Sequence, residues 1–365
     1  MTIALDGTPL TISTGGAARY TLELVRALAT EFPDDQYWLV SDQNLPSLGS
    51  LPPNVQAGRP PTTSITRKWW LYGLGRELSR VRADVFHGTD FSVPYLPRYP
   101  AVMTFHDLSP WRSEEWKGSG EADSSRVRRR TPLLLRLGLA HMVITHSEAV
   151  RREAIARFRI DPDRIVAVPL AASDAFRRVE CQPAVPPYFL FVGTLEPRKN
   201  VLALIEAWRE VRKCCEVDLV LAGQVREGFP KPAPEPGLRL LGAVEEAELP
   251  RLYSGALACV YVSRYEGFGL PVLEAMQCGA IVVASRDPAV LEVSGEAAGR
   301  GAAIHVDATD PRALVEALTA IARAPENFEP VRSRALDRAR EFSWRATARR
   351  TREVYDAARR VFKGR

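Results

Sequence analysis

No apolar run among the 365 residues approaches the roughly 20 needed to cross a bilayer, which argues against a membrane-spanning helix. The start, Met1-Thr-Ile-Ala-Leu-Asp6, has neither a basic stretch nor a small-residue cleavage site, so no signal peptide is expected. Cysteine is scarce: Cys181, Cys214, Cys215, Cys259 and Cys278 are odd in number and form no C-x-x-C pair. They read as buried free thiols in a reducing compartment, and a cytoplasmic location is expected. Strings of the H-E-x-x-H, Walker A, G-x-S-x-G and G-x-G-x-x-G kinds are missing. His87, His106, His141, His146 and His305 show no metal-ligand spacing, and neither a metal nor another cofactor is expected.

What the chain does hold is an ordinary globular composition. With 46% hydrophobic and 25% charged residues it is neither a disordered chain, a collagen-like fibre nor a disulfide-stapled miniature. At about 150 residues per domain, its length suggests two domains. The net charge of +5 is uneven, since residues 330–365 carry 12 Lys/Arg against 4 Asp/Glu. Arg126, Arg128, Arg129, Arg130 and Arg136 lie in a stretch with no acidic residue from Ser124 to Ser147. Such patches suit phosphates, an anionic membrane surface or nucleic acid; solvated helix faces explain them equally well.

Short runs rich in Val, Ile and Phe alternate with amphipathic stretches. Candidate strands of the first half are Thr2–Leu5, Tyr37–Val40, Asp84–His87, Ala101–His106, His141–Thr145 and Arg164–Val168. Those of the second half are Tyr188–Val192, Val217–Leu221, Leu238–Leu241, Ala258–Ser263, Ala280–Ala284 and Ala302–Val306. Between them lie helical patterns such as Tyr20–Phe32, and Val201–Lys213 with Asn200 as its N-cap. Continuous apolar strands alternating with helices predict parallel sheets covered on both faces. The pattern pauses at the Pro-rich 181–187 and then repeats. The expected fold class is α/β, with two doubly wound Rossmann-like domains, 1–180 and 187–342, and a last helix over 343–365. That helix shows one packing face through Trp344, Ala348, Thr351, Tyr355, Ala358 and Phe362. Periodicity leaves open whether it packs on its own domain or on the first.

In open parallel sheets ligands bind beyond the carboxyl ends of the strands, and four loops there carry candidate chemistry. In Thr14-Gly15-Gly16 the glycines let a phosphate approach the backbone, although tight turns also use paired glycines. In Phe105-His106-Asp107 the histidine can bond a ligand and the neighbouring acid can orient it; a turn-capping histidine is the plainer reading. Gly193-Thr-Leu-Glu-Pro-Arg-Lys-Asn200 sets Arg198 beside Lys199 ahead of a helix start, a pairing suited to a diphosphate. Surface cations of no special role would look the same.

The fourth loop is Glu266-Gly-Phe-Gly-Leu-Pro-Val-Leu-Glu274. Pro271 suits a first helical position, which makes Leu270 the N-cap and leaves the first-turn N–H groups to a ligand such as a sugar phosphate. Glu266 and Glu274 can both meet that ligand, though a glutamate near a helix start is also good helix chemistry. Asp161-Pro-Asp163 mimics a D-x-D metal site, and a proline turn is the better reading.

Together these strings resemble a known family. Glu266 to Glu274 is similar to the E-x7-E signature of retaining GT-B glycosyltransferases of family four, and Gly193 to Asn200 resembles that family's diphosphate loop. Thr104-Phe-His-Asp107 and the segment from Thr14 to Tyr20 resemble its N-terminal loops. Within the family the chain is most similar to GDP-mannose-dependent mannosyltransferases of bacterial surface polysaccharide synthesis. The resemblance implies two domains facing a cleft, acceptor on the first, nucleotide-sugar on the second, and a last helix that returns to the first. It implies that Arg198 and Lys199 neutralise the leaving diphosphate, that Glu274 and Gly193 serve the donor, and that Glu266 contacts its sugar. Gly267, Phe268, Gly269 and Leu270 would serve sugar and phosphate, Val244 the base, His106 the donor sugar, and Gly15 and Gly16 phosphate and acceptor. The implied partners are a nucleotide-sugar donor, a saccharide or lipid-linked acceptor and a candidate anionic membrane surface, reached through the arginine-leucine stretch and Trp69 and Trp70. Another GT-B enzyme, a phosphorylase or an epimerase, is the alternative. A nucleic-acid-binding module is remote, because the Arg126–Arg136 stretch lacks interleaved aromatics.

Overall fold

A computed structural model describes residues 1–11, 15–112, 121–181, 184–295 and 301–363, and divides them into two compact units. The first unit runs to Trp111, resumes from Ala122 to Leu170, and takes the chain again from Ser343 on. The second extends from Ala171 to Phe342 and includes Arg112.

The first unit is built on seven parallel strands: β1 (Thr2–Asp6), β2 (Gln36–Val40), β3 (Val55–Ala57), β4 (Val85–Gly88), β5 (Ala101–Phe105), β6 (Met142–Thr145) and β7 (Ile165–Ala167). Their order is β3-β2-β1-β4-β5-β6-β7. The second holds β8 (Tyr188–Val192), β9 (Asp218–Ala222), β10 (Leu238–Gly242), β11 (Ala258–Tyr261), β12 (Val282–Ser285) and β13 (Ile304–Val306), ordered β10-β9-β8-β11-β12-β13. Every pairing is parallel, for example Ile3 with both Tyr37 and Val85. Central strands β5 and β8 are buried along their whole length, as layers on both faces require. Each sheet reverses its strand order once, between β1 and β4 and between β8 and β11. In open parallel sheets such reversals, beyond the carboxyl ends of the strands, are where ligands bind.

Twelve strands coincide with the sequence reading to within about two residues; β3 was not anticipated. Only Val55 of β3 is buried, so it presents no apolar run to read. It is an edge strand held from outside itself: Asn54 donates its side-chain amide to the carbonyls of Ala29 and Asp35, and Tyr37 N–H reaches Asn54 O.

The division between units falls at Leu170/Ala171, ahead of the boundary at 180 suggested by the prolines. Three contacts hold residues 171–180 to the second unit. Phe176 packs edge-on against Tyr253, Val179 N–H bonds Ser254 Oγ, and Gln277 donates to Ser173 O.

Helix α11 (Trp344–Lys363) belongs to the first unit, where Ala348, Thr351, Tyr355 and Ala358 bury one face against α1 (Gly16–Glu31) and strands β4 to β6. Ser343 Oγ caps it through Ala346 N–H. Arg345 and Arg349 pair with Glu31, and Arg352 with Asp35 and Asp356, so much of this basic segment serves ion pairs.

The thiols are less uniformly buried than expected. Cys259 and Cys278 are buried, but Cys214 follows the end of α5 (Val201–Arg212) and is exposed. The arginine-leucine stretch forms α3 (Glu121–Arg136), in which Leu134 is buried while Leu133 and, just beyond, Leu137 are more than half exposed. Arg130 is engaged within the unit, donating to Ser92 Oγ at 2.7 Å and lying over the Trp70 ring. Trp69 is buried and therefore unsuited to anchoring at a membrane. Among the described residues no helix is long and apolar enough to cross a membrane.

Candidate active site

In the second unit the site grows from the loop after β8. The backbone of Gly193 runs so close to Gly223 that a Cβ on Gly223 would lie 1.9 Å from Gly193 O, so only glycine fits there. Pro197, Arg198 and Lys199 then form one tight 3-10 turn, and Asn200 takes a left-handed conformation before α5. Asn200 does sit at the N-cap position, but its side chain does not cap the helix. It donates instead to Ala308 O at 3.0 Å, tying this loop to the one that follows β13.

Arg198 and Lys199, in the loop after β8, both reach Glu266 in the loop after the neighbouring strand β11. Arg198 meets Glu266 Oε2 at 3.0 Å and also bonds Tyr265 O and Glu196 Oε1, each at 2.8 Å. Lys199 Nζ meets Glu266 Oε1 at 2.7 Å, bonds the Tyr261 hydroxyl and lies 4.7 Å from that ring. Arg226 takes the other oxygen of Glu196. The cluster thus holds three cations against two carboxylates. Burial alone would raise the Glu266 pKa, but Arg198 and Lys199 outweigh it and hold the carboxyl at about 2. Burial lowers the Lys199 pKa against the opposing pull of Glu266.

Asp287 completes the arrangement. One oxygen caps α8 (Pro288–Ser294) at the N–H groups of Ala289 and Val290; the other accepts from Glu266 N–H at 3.2 Å. Burial, with Glu266 nearby, raises Asp287 to about 6 despite those bonds.

Helix α7 (Leu270–Gln277) begins one residue earlier than the sequence suggests: Gly269, not Leu270, is its N-cap, and Pro271 lies in the first turn. Gly269 has φ 95, a left-handed backbone that a side chain would strain, and a Cβ would press on Val290 Cγ2 at 3.3 Å. Gly269 has no side chain with which to cap this helix start. Gly267 and Phe268 are buried just ahead of it, with Phe268 edge-on to Phe342. Glu274 is buried and accepts from the Tyr253 hydroxyl at 2.9 Å. Gly242, the last residue of β10, has φ 69, and Val244 just beyond it is half-buried.

In the first unit Gly15 is the N-cap of α1 at φ 143, and among the described residues a Cβ on Gly15 or Gly16 would meet nothing within 4 Å. Thr14 lies outside the described residues. His106, at the end of β5, donates from Nε2 to Thr89 O at 2.8 Å, and its Nδ1 lies 3.1 Å from His146 Nε2. Asp107 does not orient it, because its carboxylate accepts from Ser109 N–H and Oγ. Asp161 caps the turn at Asp163 N–H, as a proline turn requires.

The structure therefore gathers Gly193, Arg198, Lys199, Glu266 to Leu270 and Glu274 in the second unit, and Gly15, Gly16 and His106 in the first. Sequence reasoning missed Glu196, Tyr261, Asp287 and His146. Glu196 lies in the 193–200 loop, but only the fold reveals that it clamps Arg198 and Arg226.

A model of the glycosyl transferases group 1 family matches residues 186–324, and one of glycosyltransferase family 4 matches residues 14–176. O-antigen chain mannosyltransferase B of Escherichia coli is 32% identical over 300 residues, 74% of each chain. Among solved structures, sucrose-phosphate synthase of Thermosynechococcus elongatus matches 97% of this chain and 98% of its own at TM-score 0.72 and 20% identity. HepE of Anabaena, in complex with UDP-glucose, matches 96% and 98% at TM-score 0.66 and 16% identity. The architecture is that of the GT-B glycosyltransferases. The chain belongs to the group 1, family 4 glycosyltransferases, and as an enzyme it is a hexosyltransferase.

Proposed function

We propose that this enzyme moves a hexose from a nucleotide-sugar donor to a saccharide or lipid-linked acceptor in surface polysaccharide synthesis, with retention at the anomeric carbon. Mannose from GDP-mannose is the favoured donor group, supported by the Escherichia coli relative named a mannosyltransferase. A UDP-sugar is the second candidate, since the similar HepE holds UDP-glucose. The observation that carries this reading is the convergence of Arg198 and Lys199 on Glu266 immediately before the uncapped start of α7.

In the proposed reaction the anomeric carbon–phosphate oxygen bond breaks and a bond to the acceptor oxygen forms on the same face. The departing phosphate takes the acceptor's proton. Charge grows on the diphosphate, and cations already held in place by Glu196 and Glu266 stabilise it without first reorganising, so no metal is called for. Glu266 is assigned to the donor sugar's hydroxyls, the amides of Phe268, Gly269 and Leu270 to sugar and phosphate, and Glu274 to the ribose. Val244 is assigned to the base, His106 to the donor sugar, and Gly15 and Gly16 to phosphate and acceptor.

A lipid-linked acceptor would bring the first unit to an anionic membrane surface. Leu133 and Leu137 stand exposed beside Arg126, Arg129 and Arg136, which are exposed on the same stretch.

A thermal-shift series with GDP, GDP-mannose, UDP and UDP-glucose, followed by an assay for nucleoside diphosphate release, tests the reading. Stabilisation by one nucleotide pair and release of its diphosphate with acceptor are expected. Turnover without diphosphate release would identify an epimerase or phosphorylase instead.

A further inference from the structure

Tyr261 is the last residue of β11, and its side chain meets the loop after the neighbouring strand β8. It is 1% exposed, and its hydroxyl accepts from Lys199 Nζ, which lies 4.7 Å from the ring centroid. The backbones of the two loops are joined as well, because Arg264 N–H bonds Arg198 O at 2.9 Å. Within the tight turn Lys199 N–H bonds Glu196 O at 3.0 Å, so the lysine is fixed at its backbone and at its tip.

A hydrogen count gives the tyrosine contact its meaning. An ammonium has three hydrogens to donate and accepts none. Lys199 Nζ donates one to Glu266 Oε1 at 2.7 Å and one to the Tyr261 hydroxyl; among the described residues no third acceptor meets it. Held by Glu266 alone, a compact charge on a flexible four-carbon stem could turn about a single contact. Two acceptors fix two of the directions around the nitrogen, and its tetrahedral geometry then sets the third.

Tyr261 provides this direction without cancelling charge. Burial raises its pKa well above the usual phenol value, with the Glu266 charge acting in the same direction, so the hydroxyl stays neutral. Another carboxylate in its place would hold Lys199 but neutralise it.

We propose that Tyr261 is a positioning residue for Lys199. It holds the ammonium so that the third N–H is presented to the phosphate oxygen that gains charge as the diphosphate departs. The assignment of Lys199 to the diphosphate, made under Proposed function, underlies this role. Tyr261 itself lies outside the loops that carry the sequence motifs.

A double-mutant cycle over wild type, Tyr261→Phe, Lys199→Ala and the combined variant tests this on the full chain. One measurement is the calorimetric affinity for inorganic diphosphate, which carries the charge that the donor's phosphates acquire only as the bond breaks. The other is steady-state release of GDP from GDP-mannose, or of UDP from UDP-glucose where that is the donor the wild type turns over. Tyr261→Phe should weaken diphosphate binding and lower kcat by about tenfold, the effect of one hydrogen bond to a charged group. The donor KM, which reports the less charged ground state, should change less. In the Lys199→Ala background the same change should cost less than about twofold, because a hydroxyl acting through Lys199 has nothing left to position. Tyr261→Met, which fills the space with a flexible side chain and no oxygen, gives the same comparison should the phenylalanine variant not fold. An equal loss in both backgrounds would make Tyr261 a packing residue and overturn the inference, as would no loss in either. A Lys199→Ala variant that keeps both diphosphate affinity and turnover would instead overturn the assignment of Lys199 to the diphosphate.

Discussion

Lys199 and Glu266 stand 67 residues apart in the chain, yet Nζ and Oε1 meet at 2.7 Å beside the Tyr261 ring. Lys199 is thereby positioned before any donor arrives. Its charge is balanced by a carboxylate whose pKa Arg198 and Lys199 hold down at about 2.

Lys199→Ala should lower turnover roughly 10²–10³-fold, the effect of deleting one preorganised charge contact at a developing anion. Steady-state kinetics at saturating donor check this. Activity within about threefold of the parent would remove Lys199 from the diphosphate site.

On the diphosphate role proposed for Arg198 and Lys199, which pair with Glu266, turnover in excess EDTA should match turnover in Mg²⁺. Complete loss in EDTA with recovery in Mn²⁺ would refute that reading.

Glu266 makes a signed prediction for acid stability. Its folded pKa of about 2 lies below the ordinary value of 4.5, so its contribution is fully present above about pH 4.5 and is lost as pH falls towards 2. Urea unfolding between pH 6 and 2.5 should show this loss, and Glu266→Gln should flatten it. The variant should also be less stable near neutrality by about 3–5 kcal/mol, since it leaves buried Lys199 without its counter-charge. A wild-type and variant pair with parallel pH curves would contradict the ion-pair account.

Vesicle co-sedimentation addresses the exposed edge of α3. Each basic side chain near an anionic surface contributes about 1 kcal/mol, so the triple change of Arg126, Arg129 and Arg136 to Glu should abolish weak, salt-sensitive binding. Equal sedimentation with neutral and anionic vesicles would leave Leu133 and Leu137 as ordinary surface residues.

The sequence by itself determined the strand–helix alternation, because parallel strands covered on both faces must be apolar throughout, as in Tyr188–Val192. It also marked Arg198, Lys199 and Glu266 as chemistry-bearing, through residue type and position at strand ends. Only the tertiary structure decided what those groups do to one another. β3 exists because Asn54 and β2 hold it, not because of its own residues. The unit boundary falls at Ala171 because Phe176 and Val179 find partners more than 70 residues ahead. Asp107, the neighbour in the chain, turns away from His106, while His146, 40 residues on, faces it across adjacent strands. Local pattern encodes which face of an element is buried; side-chain partnerships depend on strand order and register, and those are set only when the whole sheet assembles.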